Sequence, residues 1–569
     1  MNLIWRTLKS FTRKEKLISG ILVFGILASG YAALFSGATL SPLSQAKTYS
    51  EGVVGELKHL NPVFTEFSEA DTDACSLIFS GLAKYNAATG EFDEDIATHT
   101  LSEDQKTYTF TLKNDVYWQD GTEVTSDDIY FTFAEVIQSA DFENTVLKSN
   151  FDGVEIEQTN SRTVTFTLNQ PNYFFFTSLT VGLLPKHILG EVPVSDLDTH
   201  EFNKMPMGTG PYMVTDPYEV FPDGSTSVTL AVSSDYYGET PSIESLRFVA
   251  YPSVDQLIEN RSVWHGAARI RASQLDDITD LENLVSYQYE LPQYTALFLN
   301  TDADFLSQNK ERLGIAKAID KTEILESIDY KVAVDTPLMQ LNQDEWLHIS
   351  DQEEAMGALF DAGWTMSEPE DSESSDDSET SDESSEEVSE NYRTNEDGET
   401  MTLRLVRRDF TGSNESQEET MAMTAHIIQE QLEDVGVEVI IETYSLTDLQ
   451  TIITERDYDM LLYGQSLGYN LDTFSYWHSS QADDSGLNLS NYQNAKADFY
   501  IESIRAAFDA EERQELLEGL ASIMAADIPA VFLYTPSYYY LVDKNLIGLT
   551  FENLLRPRDR FSNIAQWNF

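Results

Sequence analysis

The sequence predicts an α/β protein of more than one domain, on three observations. A chain of 569 residues is too long for one core, because single cores stop growing near about 250–300 residues. Its second half alternates helix and strand. Residues 420–433 carry an apolar stripe (Met421, Ala425, Ile428, Leu432) ending near Gly436, and 437–441 read as a strand. Ser445 N-caps a further helix, and the apolar run 459–463 is the next strand. That order implies parallel strands joined by right-handed crossovers. Beyond the last strand, Gln465, Tyr469, Asn470, Asp472, Phe474, Tyr476, Trp477 and His478 crowd together. Polar-tipped aromatics past the carboxyl end of a buried strand are the usual lining of a ligand crevice. An aromatic plug over a core is the competing reading.

Composition narrows the partners. The formal net charge is −62, which excludes the basic footprint that nucleic acid requires and argues against docking on anionic lipid through a charged face. The surface is strongly solvated and self-repelling. Cys75 is the single cysteine, so an intramolecular disulfide and a multi-thiolate metal site are both excluded.

Taken in order, residues 1–16 form a basic tail with Arg6, Lys9, Arg13, Lys14 and Lys16, and 17–36 form an apolar segment free of charge. It is long enough to cross a bilayer as a helix, and the basic flank sets its start in the cytoplasm. A retained transmembrane anchor is expected, with a cleaved signal as the alternative. Residues 37–50 are a polar linker. Residues 71–82 have apolar positions at helical spacing, with Cys75 as a packed helix residue. Strands are expected at 107–112 and 162–168, with an N-cap at Thr125 or Ser126 between them. Residues 367–398 form an acidic insertion: from Ser367 to Glu390 it holds twelve acids and no bases. Such a stretch buries too little apolar surface to offset its ordering entropy, so a disordered loop is expected.

Several segments together resemble the family 5 extracellular solute-binding proteins of ATP-binding-cassette importers, the group with oligopeptide-, dipeptide- and nickel-binding members. They include LNPVFTEFSEADTDACSLIFSGLAKYN from Leu60, VYWQDGTEVTSDDIYFTF from Val116, LLPKHIL from Leu183 and MGTGPY from Met207. RLGIAKAIDKTEIL from Arg312, LFDAGW from Leu359, WHSS from Trp477 and IPAVFLY from Ile528 continue the series. The resemblance implies a two-lobed, periplasmic-binding-protein-like clamp of type II with an extra small lobe. Lobe I would comprise 51–293 and 528–569, with 84–169 as the small lobe, and lobe II 294–527. Hinges would fall near 289–295 and 525–530. Implied partners are a peptide or similar small solute, the permease subunits, and the membrane through the N-terminal helix. The protein would be a monomer anchored at the plasma membrane, with its main domain extracytoplasmic.

The same resemblance places a peptide against the loop after the first strand, at Thr65, Phe67 and Ser68, by strand addition. The opposite wall would be Gln465, Tyr469, Asn470, Asp472 and Trp477. Relatives carry an aspartate there for the peptide's amino terminus. Gly468 falls at that position here, with Asp472 close enough to substitute. Trp118 belongs to the small lobe and reads as structural.

Two other functions compete. Residues 464–468, GQSLG, match G-x-S-x-G after a strand, so a tethered hydrolase using Ser466 is conceivable. That motif requires a helix right after the serine, with the acid and histidine much later in the chain. Asp472 and His478 are too near, and the remaining histidines show no ligand spacing. No cofactor, catalytic residue or metal ligand is expected. A clamp-type chaperone or sensor is the third reading.

Overall fold

The computed structural model describes residues 48–65, 68–366, 392–411, 415–482 and 486–569. The expected membrane segment at 17–36, Phe67 and most of the acidic insertion lie outside them. Among the described residues no helix is long and apolar enough to cross a membrane.

Two sheets organise the chain. The first has eight strands. Thr48–Val54 lies in its middle, parallel to Ser245–Tyr251 on one side and Gly266–Ile270 on the other. Strands Thr226–Val232 and Tyr212–Val214 extend it one way, Ser537–Asp543 and Leu284–Glu290 the other. The middle strand is buried on both faces, as parallel strands covered on both sides must be. Helix Glu69–Ile78 packs over it. Ser68 caps that helix by accepting from the Asp71 amide at 3.1 Å. The Asp71 carboxylate accepts from the Lys58 and His59 amides at 3.0 Å each, which ties down the chain between strand and helix.

Within this body, residues 97–167 build a separate antiparallel sheet in the order Ala97–Leu101, Thr107–Leu112, Thr163–Thr167, Glu155–Asn160. A capping box at Thr125 and Asp128 starts the helix packed on it. Of the two caps the sequence offers, Thr125 is the one used, and Ser126 is the first helical residue.

The second sheet has six strands, in the order Val332–Ala333, Ala530–Thr535, Gln293–Leu299, Met460–Ser466, Thr402–Arg408, Glu438–Tyr444. Thr402–Arg408 is parallel to both its neighbours. The two strands read from sequence, Glu438–Tyr444 and Met460–Ser466, are parallel but do not pair with each other: each pairs with Thr402–Arg408, which lies between them. Ser445 caps Leu446–Glu455 as its spacing indicates.

The chain passes between the sheets twice. One crossing runs from Glu290 to Gln293. The other lies at Pro536, since Ala530–Thr535 pairs with Gln293–Leu299 and Ser537–Asp543 with the larger sheet. The second crossing thus follows strand Ala530–Thr535, whereas the sequence placed it before that strand. An apolar run shows that a strand exists and not which sheet claims it. Strand Arg393–Thr394 pairs with Thr365–Met366, so the far end of the predicted acidic insertion is folded.

His265 ties the first strand to the C-terminus. Its Nδ1 accepts from the Ser50 amide at 3.0 Å, and its ring packs on Tyr49 and Phe569. Burial, opposed by Asp543 and reinforced by Arg261, lowers its pKa from 6.5 to about 4. The folded state therefore takes up this proton less readily than the unfolded chain. The resulting stability is complete above about pH 6.5 and is lost as pH falls towards 4, by at most about 3 kcal/mol. His265→Gln should flatten the pH dependence in urea denaturation across that window. An unchanged slope would exclude His265 as its source.

Candidate solute-binding site

Where the two bodies meet, a cavity of about 280 Å³ opens. Most of its wall comes from the first body: the 62–85 region, Asn144–Asn150, residues 177–182 and the C-terminal run 556–564. The second body supplies Tyr469 and Asn470, from the loop that follows Met460–Ser466.

Tyr469 makes the closest approach across the junction. Its hydroxyl donates to Asp559 and accepts from Arg558 Nε at 3.1 Å. Its ring packs on Tyr85 and Phe92, with centroids 5.5 and 5.4 Å away. The Arg556 and Arg558 guanidinium groups lie 4.8 and 4.9 Å from the same ring, a favourable placement against its π face. Burial pushes the Tyr469 phenol well up, so it stays a neutral donor. Tyr85 donates to the Asn553 carbonyl, and burial raises its phenol to about 12. Asn470 Nδ2 lies 3.4 Å from Asn150 Oδ1.

The other predicted wall residues fall elsewhere. Asp472 is buried in its own body, paired with Arg505 at 2.9 Å and accepting from the Phe474 amide. Burial raises its carboxyl against the pull of Arg505. It does not line the cavity. Trp477 is 1 % exposed and stacks on Phe298 at 5.9 Å, a core position. Gln465 is buried and accepts from the Tyr294 hydroxyl. Of the loop after the first strand, Thr65 lines the cavity, Ser68 is a helix cap whose hydroxyl also donates to the Glu56 carbonyl, and Phe67 is outside the described residues.

Sequence reasoning missed Tyr85, Arg556, Arg558 and Asp559. A signal for the last three was present: RPRDR at residues 556–560 packs three arginines into an acid-rich chain.

Ser466 stays in strand register opposite Gln293 with no helix starting after it. His478 stacks on Phe474 at 4.3 Å, next to Asp498 and Glu502. Among the described residues no hydrogen bond joins Ser466 to a histidine, the contact a Ser–His nucleophile pair needs. Cys75 lines the cavity, and burial holds its thiol well above the usual value. Among the described residues no cluster of three or more His, Cys, Asp or Glu side chains could hold a metal.

Two α/β bodies linked by two short crossings, with a cavity at their junction, define a clamp of the periplasmic-binding-protein kind. The chain belongs to the bacterial extracellular solute-binding proteins, family 5, whose middle-region model matches residues 91–486. It is 24% identical to the oligopeptide-binding protein AppA of Bacillus subtilis over 97% of this chain and 98% of that one. Two solved structures share the fold. NikZ of Campylobacter jejuni in complex with Ni(L-His) aligns with a TM-score of 0.69 at 23% identity, covering 92% of this chain and 99% of that one. AppA of B. subtilis in complex with a nonapeptide gives 0.66 at 21%, covering 93% and 99%.

Proposed function

We propose that this protein is the substrate-binding component of an ATP-binding-cassette importer. It captures peptides or a similar small solute at the outer face of the membrane and releases them unaltered to a permease. The supporting observation is the junction itself: Tyr469 of one body closes on Tyr85, Asp559 and the arginines of the other, over a cavity. A ligand touching both bodies stabilises the closed arrangement by contacts that the open one lacks. No bond in the cargo need break. Family membership supports an extracytoplasmic main domain. Residues 17–36 would tether it as a monomer, raising its effective concentration at the permease.

Tyr469→Ala removes the bridging hydroxyl and ring together. It should weaken binding of a tri- to hexapeptide mixture by about tenfold or more, the loss of one desolvated hydrogen-bonded contact. Calorimetry measures this directly. Solution scattering should show the wild type becoming more compact with peptide. Unchanged affinity, together with an unchanged radius of gyration, would overturn the clamp reading.

A further inference from the structure

The cavity's charge points to the class of cargo. Three arginines alternate along residues 556–560, and the structure treats them differently. Arg560 faces inward and is paired with two carboxylates, Glu51 and Asp73. Arg556 and Arg558 line the cavity. Among the described residues, no carboxylate forms an ion pair with either. Asp559, the acid between them and Arg560, has its oxygens occupied by the Tyr469 hydroxyl and by the Leu555 and Arg556 amides. Arg556 Nε is buried with no hydrogen-bond partner among the described residues. Arg556 and Arg558 are both partly exposed, and Asp559 attracts them only at longer range; among the described residues their guanidinium groups still lack a carboxylate in ion-pair contact. In a chain with 97 acids against 35 bases, a purely structural arginine would readily find one, as Arg560 does.

The loop of the second body accommodates this cation. Gly468 has φ +55, and a Cβ placed there would lie 2.9 Å from the Arg556 guanidinium. Glycine adopts that left-handed backbone most readily and leaves the space that the end of the Arg556 side chain occupies.

We propose that the cavity takes a ligand bearing a carboxylate, bound by the paired guanidinium groups of Arg556 and Arg558, and that this site does not anchor a cationic end of the cargo. Arg558 is held through its Nε by the Tyr469 hydroxyl, which leaves N–H groups of both guanidiniums for the oxygens of a carboxylate. This inference rests on the cavity being the cargo site proposed above. The carboxylate could be a peptide's C-terminus, an acidic side chain or a free organic acid.

The test uses the full-length protein freed of co-purifying small molecules by partial unfolding and refolding. Calorimetry compares four probes: mixed tetrapeptides with free C-termini, the same mixture amidated, the amidated mixture with one glutamate per peptide, and succinate. At least one carboxylate-bearing probe should bind tenfold or more tightly than the amidated mixture, and which one does identifies the source. Arg556→Gln should abolish that preference, and Arg556→Lys should keep most of it. Amidated peptides binding as well as the free acids would overturn the inference while leaving a binding protein. Binding of no probe, with no small molecule seen by native mass spectrometry before refolding, would overturn both. Should Arg556→Gln fail to fold, the wild-type comparison of acid with amide still decides.

Discussion

Arg560→Met should destabilise the protein by about 3–5 kcal/mol, the usual consequence of removing one partner from a buried ion pair. Arg560, Glu51 and Asp73 have side chains 1 %, 0 % and 2 % exposed. The guanidinium reaches Glu51 Oε1 at 2.9 Å and Asp73 Oδ2 at 2.5 Å, and donates to the Pro557 carbonyl. It thereby joins the middle strand of the large sheet, the helix packed on it and the C-terminal segment that lines the cavity. Without it two carboxylates remain in a dry interior. Tyr49 and Tyr540 can still donate to Glu51; burial raises its carboxyl, opposed first by Arg560 and then by the Tyr49 hydroxyl. Removal of the cation would raise the folded pKa of Glu51 further above its unfolded value. The variant's deficit should therefore shrink as pH is lowered and Glu51 takes up a proton. The triple variant Glu51→Gln, Asp73→Asn, Arg560→Met should recover most of the loss in urea denaturation near neutral pH. A single variant within 1 kcal/mol of wild type would mean that the triad contributes little to stability.

Much of the framework was legible because it rests on local chemistry. Thr125 and Ser445 are caps with acids three residues on, and the structure places helices after both. Alternation at residues 107–112 gave a strand because one face is buried and the other half-exposed. What failed to read out was partnership across distance. Nothing local tells Asp472 to pair with Arg505, thirty-odd residues later, so a loop acid beside a strand end looked like a ligand contact. Likewise, Tyr469 and Trp477 were equivalent in sequence, as aromatics of one loop. Tyr469 points across the junction and Trp477 into its own core, a distinction made by chain geometry after the strand. The arginines at 556 and 558 were visible as charges, yet only folding brings them to Gly468.

Trp477→Ala should separate the two roles an aromatic in that loop can have. The indole is packed between Phe298, at 5.9 Å, and Phe532, at 5.7 Å, beneath the six-stranded sheet. Truncation there leaves a cavity in a close-packed interior and should cost about 3–5 kcal/mol, as large-to-small core changes of aromatic residues do. Trp477→Phe keeps a ring against Phe298 and should cost distinctly less. Affinity measured on the fraction that remains folded should stay within threefold of wild type, since Trp477 does not line the cavity. A ligand-facing tryptophan would behave in the opposite way: little change in urea midpoint by circular dichroism and a loss of peptide affinity well beyond tenfold. Finding that pattern would move the binding wall from Tyr469 to the far end of the loop, and the junction cavity would no longer be the place where cargo is held.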